Sequence, residues 1–186
     1  MLPGKAALDS LDGACSVPAE RPADARPGPS FSGMFYSAAR HRSVGYTIAY
    51  PPGHQAGDQL PLVVMLHGYG ALLFAEKYPR LISAVAAISP GIWTSYDQAK
   101  AADPGAYACA AAFSANDAIT HAGALAGVPV RVAAGFDDPF YPGVQVLARS
   151  LPAGAVVDFA PGCHTDPFFF EQQPPSLAFL AGHLVR

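Results

Sequence analysis

The sequence has 186 residues, of which 51% are hydrophobic and 13% are charged, and its formal net charge is −3. This length is enough for one domain with a substantial core. The weakly acidic balance provides no basic surface for nucleic acid or for an anionic membrane. No apolar run approaches the roughly 18 residues of a membrane-spanning helix. We therefore predict a globular protein that has no nucleic-acid partner and no membrane-spanning segment.

The start of the chain is predicted to be a flexible segment. Residues 1–30 are rich in Pro, Ala and Gly and show no apolar periodicity, a composition that does not build a core. They lack the basic-then-apolar layout of a signal peptide, so the sequence is cytoplasmic as written, although it leaves the compartment open. The three cysteines, Cys15, Cys109 and Cys163, are too few and too widely spaced for a disulfide framework or a zinc site. We predict no metal and no cofactor.

Residues 31–186 are predicted to form one α/β domain. Residues 31–50 alternate aromatic and β-branched side chains around a turn, as a β-hairpin does. Residues 60–68 form a continuous apolar run, which is typical of a strand buried on both faces. Residues 71–78 resemble a helix that ends at Pro79. Further strands are predicted within residues 81–90, 128–136 and 155–162, and a last helix within residues 176–186.

The alternation of strands and helices predicts a mostly parallel sheet flanked by helices. Ligands of such sheets bind in the loops that follow the carboxyl ends of the strands. In this sequence the corresponding loops are His67–Gly70, Ser89–Trp93, Asp137–Tyr141 and Cys163–Phe168.

An acidic turn and a histidine loop follow the last two predicted strands. Asp137 and Asp138 come after one strand and His164 after the next, with room for one helix between them. This order matches the last two members of the Ser, Asp, His triad of α/β-hydrolases. In such a triad the histidine takes the proton of the nucleophile, and the carboxylate holds the histidine in the required tautomer.

With these motifs the sequence resembles the esterase D and S-formylglutathione hydrolase group, including the related actinobacterial esterases, which are often exported. The matching pieces are LHGYG, GYGALLFAEKYP, AAISPGIW, GFDDPFYP and GCHTDPFF, and they cover most of the chain from about residue 44 onward. The resemblance implies a serine carboxylesterase that hydrolyses small-molecule esters or thioesters through an acyl-enzyme. It also implies that Asp138 is the triad acid, with Asp137 as the alternative, and that His164 is the general base. Backbone N–H groups around Gly68 and Tyr69 would belong to the oxyanion hole.

The nucleophile of this group is missing. Its members carry G-x-S-M-G-G-Y-G-A-L-L, whereas here GYGALL follows LVVMLH. Aligned on GYGALL, Met65 takes the place of the serine, and Val63 and His67 replace the glycines that allow the strained elbow. A thioether cannot be deprotonated and cannot act as an acyl nucleophile. The gap corresponds to an internal deletion of two helices and two strands, roughly 60 residues.

Two other residues could in principle replace the missing nucleophile. Ser89 lies in an elbow-like AISPG, but Pro90 has no N–H to donate to an oxyanion. Cys163 neighbours His164 but does not lie in an elbow. We predict that Cys163 is a small, half-buried residue that positions the histidine loop.

Other residues near these loops allow more than one role. A metal site made of His67, Asp138 and His164 would lack the usual paired ligand spacing. Trp93 and Tyr141 either pack in the core or line a pocket.

The sequence therefore predicts a truncated α/β-hydrolase fold with acyl-hydrolase ancestry and very low or absent activity. The alternative function is a non-catalytic remnant that binds a ligand or a partner with the surviving acid and histidine loops. The sequence gives no oligomeric state.

Overall fold

A computed structural model describes residues 28–38, 41–60, 63–64 and 68–184. Met65 and His67 lie outside the described residues, as does most of the segment predicted to be flexible. The chain divides into two compact units that meet in sequence between residues 62 and 63. The predicted start of the folded domain at residue 31 stays a prediction.

The first unit contains an antiparallel hairpin of strands β1 (Ser30–Ser37) and β2 (Arg42–Ala49). Since side chains alternate between the two faces of a strand, Phe31, Phe35 and Tyr46 share one face of the hairpin. There the Tyr46 ring lies 6.2 Å from the ring of Phe31 and 6.3 Å from that of Phe35. The alternating sequence pattern predicted this hairpin correctly.

The second unit is an α/β structure that begins with helix α1. Its strands form a three-stranded parallel sheet in the order β3-β4-β5, so the predicted α/β fold with a parallel, helix-flanked sheet is confirmed. Among the described residues, no helix has the length and apolar character needed to cross a membrane. The elements are α1 (Gly68–Lys77), a 3-10 turn (Pro79–Leu81), β3 (Val85–Ile88), α2 (Tyr96–Ala102), α3 (Ala110–Ser114), α4 (Ala118–His121), a second 3-10 turn (Ala122–Leu125), β4 (Val130–Gly135), α5 (Tyr141–Ser150), β5 (Val156–Ala160) and α6 (Asp166–Gly182).

Strand β4 is the centre of the core, because all six of its residues are buried. Val130 and Val132 pack in one cluster with Leu72 of α1 and Leu147 of α5. Each such aliphatic side chain contributes about 1.5–3 kcal/mol when it is fully buried. Arg131 alternates with the two valines and therefore faces the other side of the sheet, where α6 lies.

Arg131 joins α6 to the sheet. Its guanidinium, in a residue only 3% exposed, donates to Asp158 of β5, to Gln172 and to Ser176, each at 2.8 Å. The last two residues lie on either side of the pair Pro174–Pro175 inside α6. Because prolines disrupt the interior of a helix, the sequence predicted that this helix begins after Pro174–Pro175, at residue 176. In the structure it begins ten residues earlier, at Asp166. Bonds to both sides of the proline pair hold one continuous helix on the sheet.

The predicted buried strand at residues 60–68 is wrong for its described residues. Leu60, Val63 and Val64 belong to no strand and are exposed. An apolar run becomes a buried strand only where neighbouring strands pair with it and helices cover it. Among the described residues, β3 pairs with β4 alone, so the described part of this run has no partner strand.

A buried carboxyl group lies in the third turn of α1. Glu76 is 7% exposed, and neither of its carboxyl oxygens has a hydrogen-bond partner among the described residues. Burial, and secondarily the nearby charge of Asp117, raises the pKa of Glu76 from 4.5 to about 8. The folded protein therefore retains a proton on Glu76 that the unfolded chain releases at lower pH.

This difference predicts a stability that falls as pH rises. Between pH 4.5 and pH 8 the unfolded chain has lost the proton and the folded chain has not, so Glu76 increasingly disfavours folding across that window. We expect Glu76→Gln to be more stable than the native protein by about 1–3 kcal/mol at pH 9 and by much less at pH 5. Urea unfolding at both pH values measures this. Glu171→Gln, at an exposed position of α6, is the control, and an equal effect of Glu76→Gln at both pH values would contradict the assignment.

Candidate active site

The candidate site lies at the carboxyl edge of the parallel sheet. Because β3, β4 and β5 run in the same direction, the loops that follow them meet at one edge. The loop after β4 carries Asp138, and the loop after β5 carries His164. The structure brings these two sequence-predicted residues together.

The carboxylate of Asp138 bonds to His164. Its Oδ2 is 3.0 Å from Nδ1 of His164, and its Oδ1 accepts a 2.7 Å hydrogen bond from the backbone N–H of Phe140. Asp138 is only 3% exposed. Since an ionised carboxylate can only accept, the hydrogen bond assigns the proton to Nδ1 and leaves Nε2 as the basic nitrogen of the ring.

The local sequence explains why Asp138, and not Asp137, faces the histidine. The bond from Asp138 Oδ1 to the N–H two residues on is an Asx turn, a conformation that aspartate favours, and helix α5 begins right after it. Asp137 is exposed, and its backbone N–H donates to the carbonyl of Gly162 at 3.0 Å. Asp137 therefore contributes its backbone to the joint between the two loops.

Two phenylalanine rings pack against the imidazole of His164. The ring of His164 lies 5.2 Å from that of Phe140 and 5.2 Å from that of Phe169, edge-to-face in both cases. These contacts and the bond to Asp138 restrict the imidazole to one orientation. His164 stays half-buried, so its ring is not sealed from solvent.

A glycine allows the histidine loop to approach the sheet. A Cβ on Gly135, the last residue of β4, would lie 2.1 Å from the carbonyl oxygen of Gly162 and 3.1 Å from the backbone nitrogen of Cys163. No side chain fits there. Sequence reasoning did not single out Gly135, although its place between a buried strand and an acidic turn was a usable signal.

The residues predicted for the oxyanion hole begin helix α1. Gly68 lies against the end of β3, since a Cβ there would be 2.7 Å from Ile88 O and 3.3 Å from Pro90 Cα. The first N–H groups of a helix have no acceptor within it, which is a condition that the donors of an oxyanion hole must meet. The Tyr69 side chain is structural: its hydroxyl donates to the backbone carbonyl of Asn116, and burial raises the pKa of Tyr69 well above its ordinary value.

Ser89 and Cys163 differ in what they offer as nucleophiles. Ser89 has a left-handed backbone (φ +44°), is 1% exposed, and has no hydrogen-bond partner for its Oγ among the described residues. Its N–H donates to Ala133 O at 2.7 Å. Cys163 is half-buried and its sulfur belongs to a disulfide, so it is not available as a thiolate.

The two aromatic residues left open by the sequence take different places. Tyr141 packs on Phe136 and Phe159, at 5.7 and 5.0 Å between ring centres, and belongs to the packing around α5. Trp93 is half-buried, and its ring lies 5.4 Å from that of Phe140, the residue that contacts His164. Trp93 therefore borders the candidate site.

No protein-family model matches the sequence, and the comparison with curated proteins finds no match. Among solved structures, the chain is similar to FphF, a fluorophosphonate-binding serine hydrolase of Staphylococcus aureus in a substrate-bound state. The TM-score is 0.53 at 12% identity, and the alignment covers 83% of this chain and 98% of FphF. A ferulic acid esterase aligns with a TM-score of 0.49 at 16% identity over 63% of this chain, which spans about half (48%) of that protein. The likeness to FphF shows that the chain shares the α/β fold of that protein.

The two aspartates should differ sharply when replaced. Asp138→Ala removes the acceptor of two hydrogen bonds at a buried position, and we expect a loss of about 2–4 kcal/mol of unfolding free energy. Asp137→Ala leaves its backbone bond intact and should change stability by no more than about 0.5 kcal/mol. Urea unfolding of the two variants measures the difference. Similar losses in both would argue against Asp138 as the partner of His164.

The approach of the histidine loop to β4 predicts a second contrast. Gly135→Ala places a methyl group on the Gly162 carbonyl, so we expect a loss of about 1–3 kcal/mol as the loop is pushed off the strand. Gly123→Ala is the matched control, because a Cβ there meets nothing within 4 Å. Thermal unfolding of both variants tests this, and a neutral Gly135→Ala would show that the loop does not rest on β4.

Proposed function

We propose that the chain descends from a serine carboxylesterase of the esterase D and S-formylglutathione hydrolase type, and that its own acyl-transfer activity is very low or absent. The observation that carries the proposal is the hydrogen bond between the buried carboxylate of Asp138 and Nδ1 of His164. Both residues stand in the chain order of an α/β-hydrolase triad. The corresponding substrates are small-molecule esters or thioesters.

The pair has the orientation that acyl transfer requires of an acid and a base. With Nδ1–H donated to Asp138, Nε2 of His164 is the atom that would take a proton from a nucleophile and return it to the leaving alkoxide or thiolate. Asp138 would stabilise the imidazolium formed in between. The N–H of Phe140 keeps the second carboxylate oxygen in place, so the base is held ready independently of any nucleophile.

The chain offers this base no suitable nucleophile. Met65 stands at the serine's place in the sequence, and its thioether has no proton to give and forms no acyl-enzyme. Ser89 is buried and followed by Pro90, which lacks the oxyanion N–H that the residue after the nucleophile normally supplies. Triad enzymes that lose one member retain only what binding and the oxyanion hole provide.

A second candidate function is non-catalytic binding of a small ligand. Two polar atoms at the same edge of the sheet, Ser89 Oγ and Trp93 Nε1, are buried without a hydrogen-bond partner among the described residues. Each such group costs about 1–3 kcal/mol. A ligand that supplied acceptors would offset that cost.

Hydrolysis of p-nitrophenyl acetate tests the proposed loss of activity. In stopped-flow measurements we expect no burst of p-nitrophenolate, because no acyl-enzyme forms, and a slow steady rate that His164→Ala changes by less than about twofold. His121→Ala, an exposed histidine of α4, controls for histidine reactivity in general. A burst close to one equivalent that is abolished by His164→Ala and retained in His121→Ala would refute the loss of activity.

A further inference from the structure

Glu76 carries a buried carboxyl group on the inner face of α1. Tyr69, Leu72 and Glu76 follow one another at intervals of three and four residues, so their side chains share one side of the helix, and Leu72 is fully buried in the core. Both carboxyl oxygens of Glu76 are buried without a hydrogen-bond partner among the described residues. An anion in this place would have neither water nor a donor, so the surroundings favour the protonated acid.

Helix α1 also holds the residue that precedes the cap of α4. The Tyr69 hydroxyl donates to the backbone carbonyl of Asn116, and the Lys77 ammonium donates at 2.6 Å to the side-chain oxygen of Asn116. The next residue, Asp117, caps α4 with its carboxylate. This carboxylate lies close enough to act on Glu76, whose pKa is raised by burial first and by the charge of Asp117 second.

Of the elements that pack on α1, α4 has the weakest hold on the core. Helix α1 packs on β3, on α4 and on the second 3-10 turn. Strand β3 is bonded into the sheet, and the 3-10 turn is anchored by the fully buried Leu125. In contrast, α4 has four residues, too few for a helix that is stable by itself, and it buries the small side chain of Ala118. Segments with little buried apolar surface open locally at a lower cost than the core does.

The charges around Glu76 leave its anion poorly compensated. Strand β3 and the second 3-10 turn carry no ionisable side chain. The carboxylate of Asp117 repels a negative charge on Glu76, while the ammonium of Lys77, exposed and bonded to Asn116, acts in the opposite sense. Contact with water is therefore the most effective way to stabilise an ionised Glu76. The ionisable side chains on and around α1 are Tyr69, Lys77, Arg80, Tyr107, Asp117 and His121.

We propose that Glu76 is the sensor of a pH-dependent local opening, in which loss of its proton separates residues 116–121 from α1. While Glu76 is protonated, its carboxyl remains buried and the two bonds to Asn116 persist. Once Glu76 is ionised, water enters the contact between α1 and α4, and α4 moves away while the sheet stays folded. The opening involves neither a nucleophile nor an ester, so it is independent of the proposed function.

The opening should become more favourable by about tenfold for each pH unit between pH 4.5 and pH 8. In this range the open form has released the proton of Glu76 and the closed form retains it, because burial raises the pKa from 4.5 to about 8. The closed form is therefore favoured at low pH and loses ground as pH rises. Above about pH 8 both forms are ionised, and the dependence levels off.

Amide hydrogen exchange in α4 measures the opening. The backbone N–H of His121 is a suitable probe, since it donates to the carbonyl of Asp117 at 3.1 Å. We expect its protection factor, which is corrected for the intrinsic exchange rate, to fall about a hundredfold from pH 5.5 to pH 7.5. It should depend little on urea below the unfolding transition, because a local opening exposes little surface. The buried Val132 of β4 should exchange with the stronger urea dependence of global unfolding.

Substitution of Glu76 separates its effect from those of the other ionisable groups. Glu76→Gln keeps the shape of the side chain and cannot ionise, so His121 protection should stay constant within about twofold over the same pH range. Glu171→Gln, at an exposed position of α6, should behave like the native protein. If Glu76→Gln does not fold, Glu76→Met provides an uncharged side chain of similar length.

Replacement of Asp117 tests the role of the neighbouring charge. Asp117→Asn keeps a capping side chain and removes the repulsion of an ionised Glu76. In a ¹³C NMR titration of the Glu76 carboxyl carbon, we expect a midpoint near pH 8 in the native protein and a lower midpoint in Asp117→Asn. Equal midpoints would contradict the contribution of Asp117.

Three results would overturn the proposal. They are a His121 protection factor that does not depend on pH, the same pH dependence in Glu76→Gln, and a urea dependence of His121 exchange equal to that of Val132. The last result would show that α4 opens only when the whole protein unfolds. None of the three bears on hydrolytic activity, which p-nitrophenyl acetate tests separately.

Discussion

The carboxylate of Asp138 holds the candidate site together. One oxygen fixes the turn after β4 through the N–H of Phe140, and the other fixes the loop after β5 through His164. A carboxylate buried to this extent is costly unless both oxygens are bonded, so the turn, the histidine and the end of the sheet are stable only together. Because Gly135 has no side chain and the backbone N–H of Asp137 bonds to Gly162, the two loops lie close enough for this arrangement.

We propose that the site holds His164 as a well-positioned base and lacks a suitable nucleophile. The imidazole of His164 is oriented by its hydrogen bond to Asp138 and by its contacts with the rings of Phe140 and Phe169. In this proposal, Met65 stands in the sequence where the serine that such a base would serve is expected. At the same edge of the sheet, Ser89 Oγ and Trp93 Nε1 are buried, and the described part of the protein leaves them unbonded.

The sequence predicted the α/β fold, the hairpin and the placement of Asp138 and His164 near each other, because strand order alone brings these loops to one edge. It did not decide whether Asp137 or Asp138 is the acid that bonds to His164, since neighbouring residues differ only in the direction of their side chains. It misplaced a strand at residues 60–68, because apolar periodicity does not reveal whether partner strands exist. It started α6 too late, because the bonds of Arg131 across Pro174–Pro175 come from a distant strand. The sequence carries no signal for the lack of hydrogen-bond partners at Ser89 Oγ and Trp93 Nε1 among the described residues.

We propose that the acid and the base of a serine hydrolase persist in Asp138 and His164 without a serine that they can activate. The most direct measurement is the intact mass of the protein after incubation with a fluorophosphonate, which forms a stable adduct only with an activated nucleophile. The account predicts that the native mass is unchanged and that His164→Ala behaves in the same way. A stoichiometric adduct on any serine, lost in His164→Ala, would contradict it.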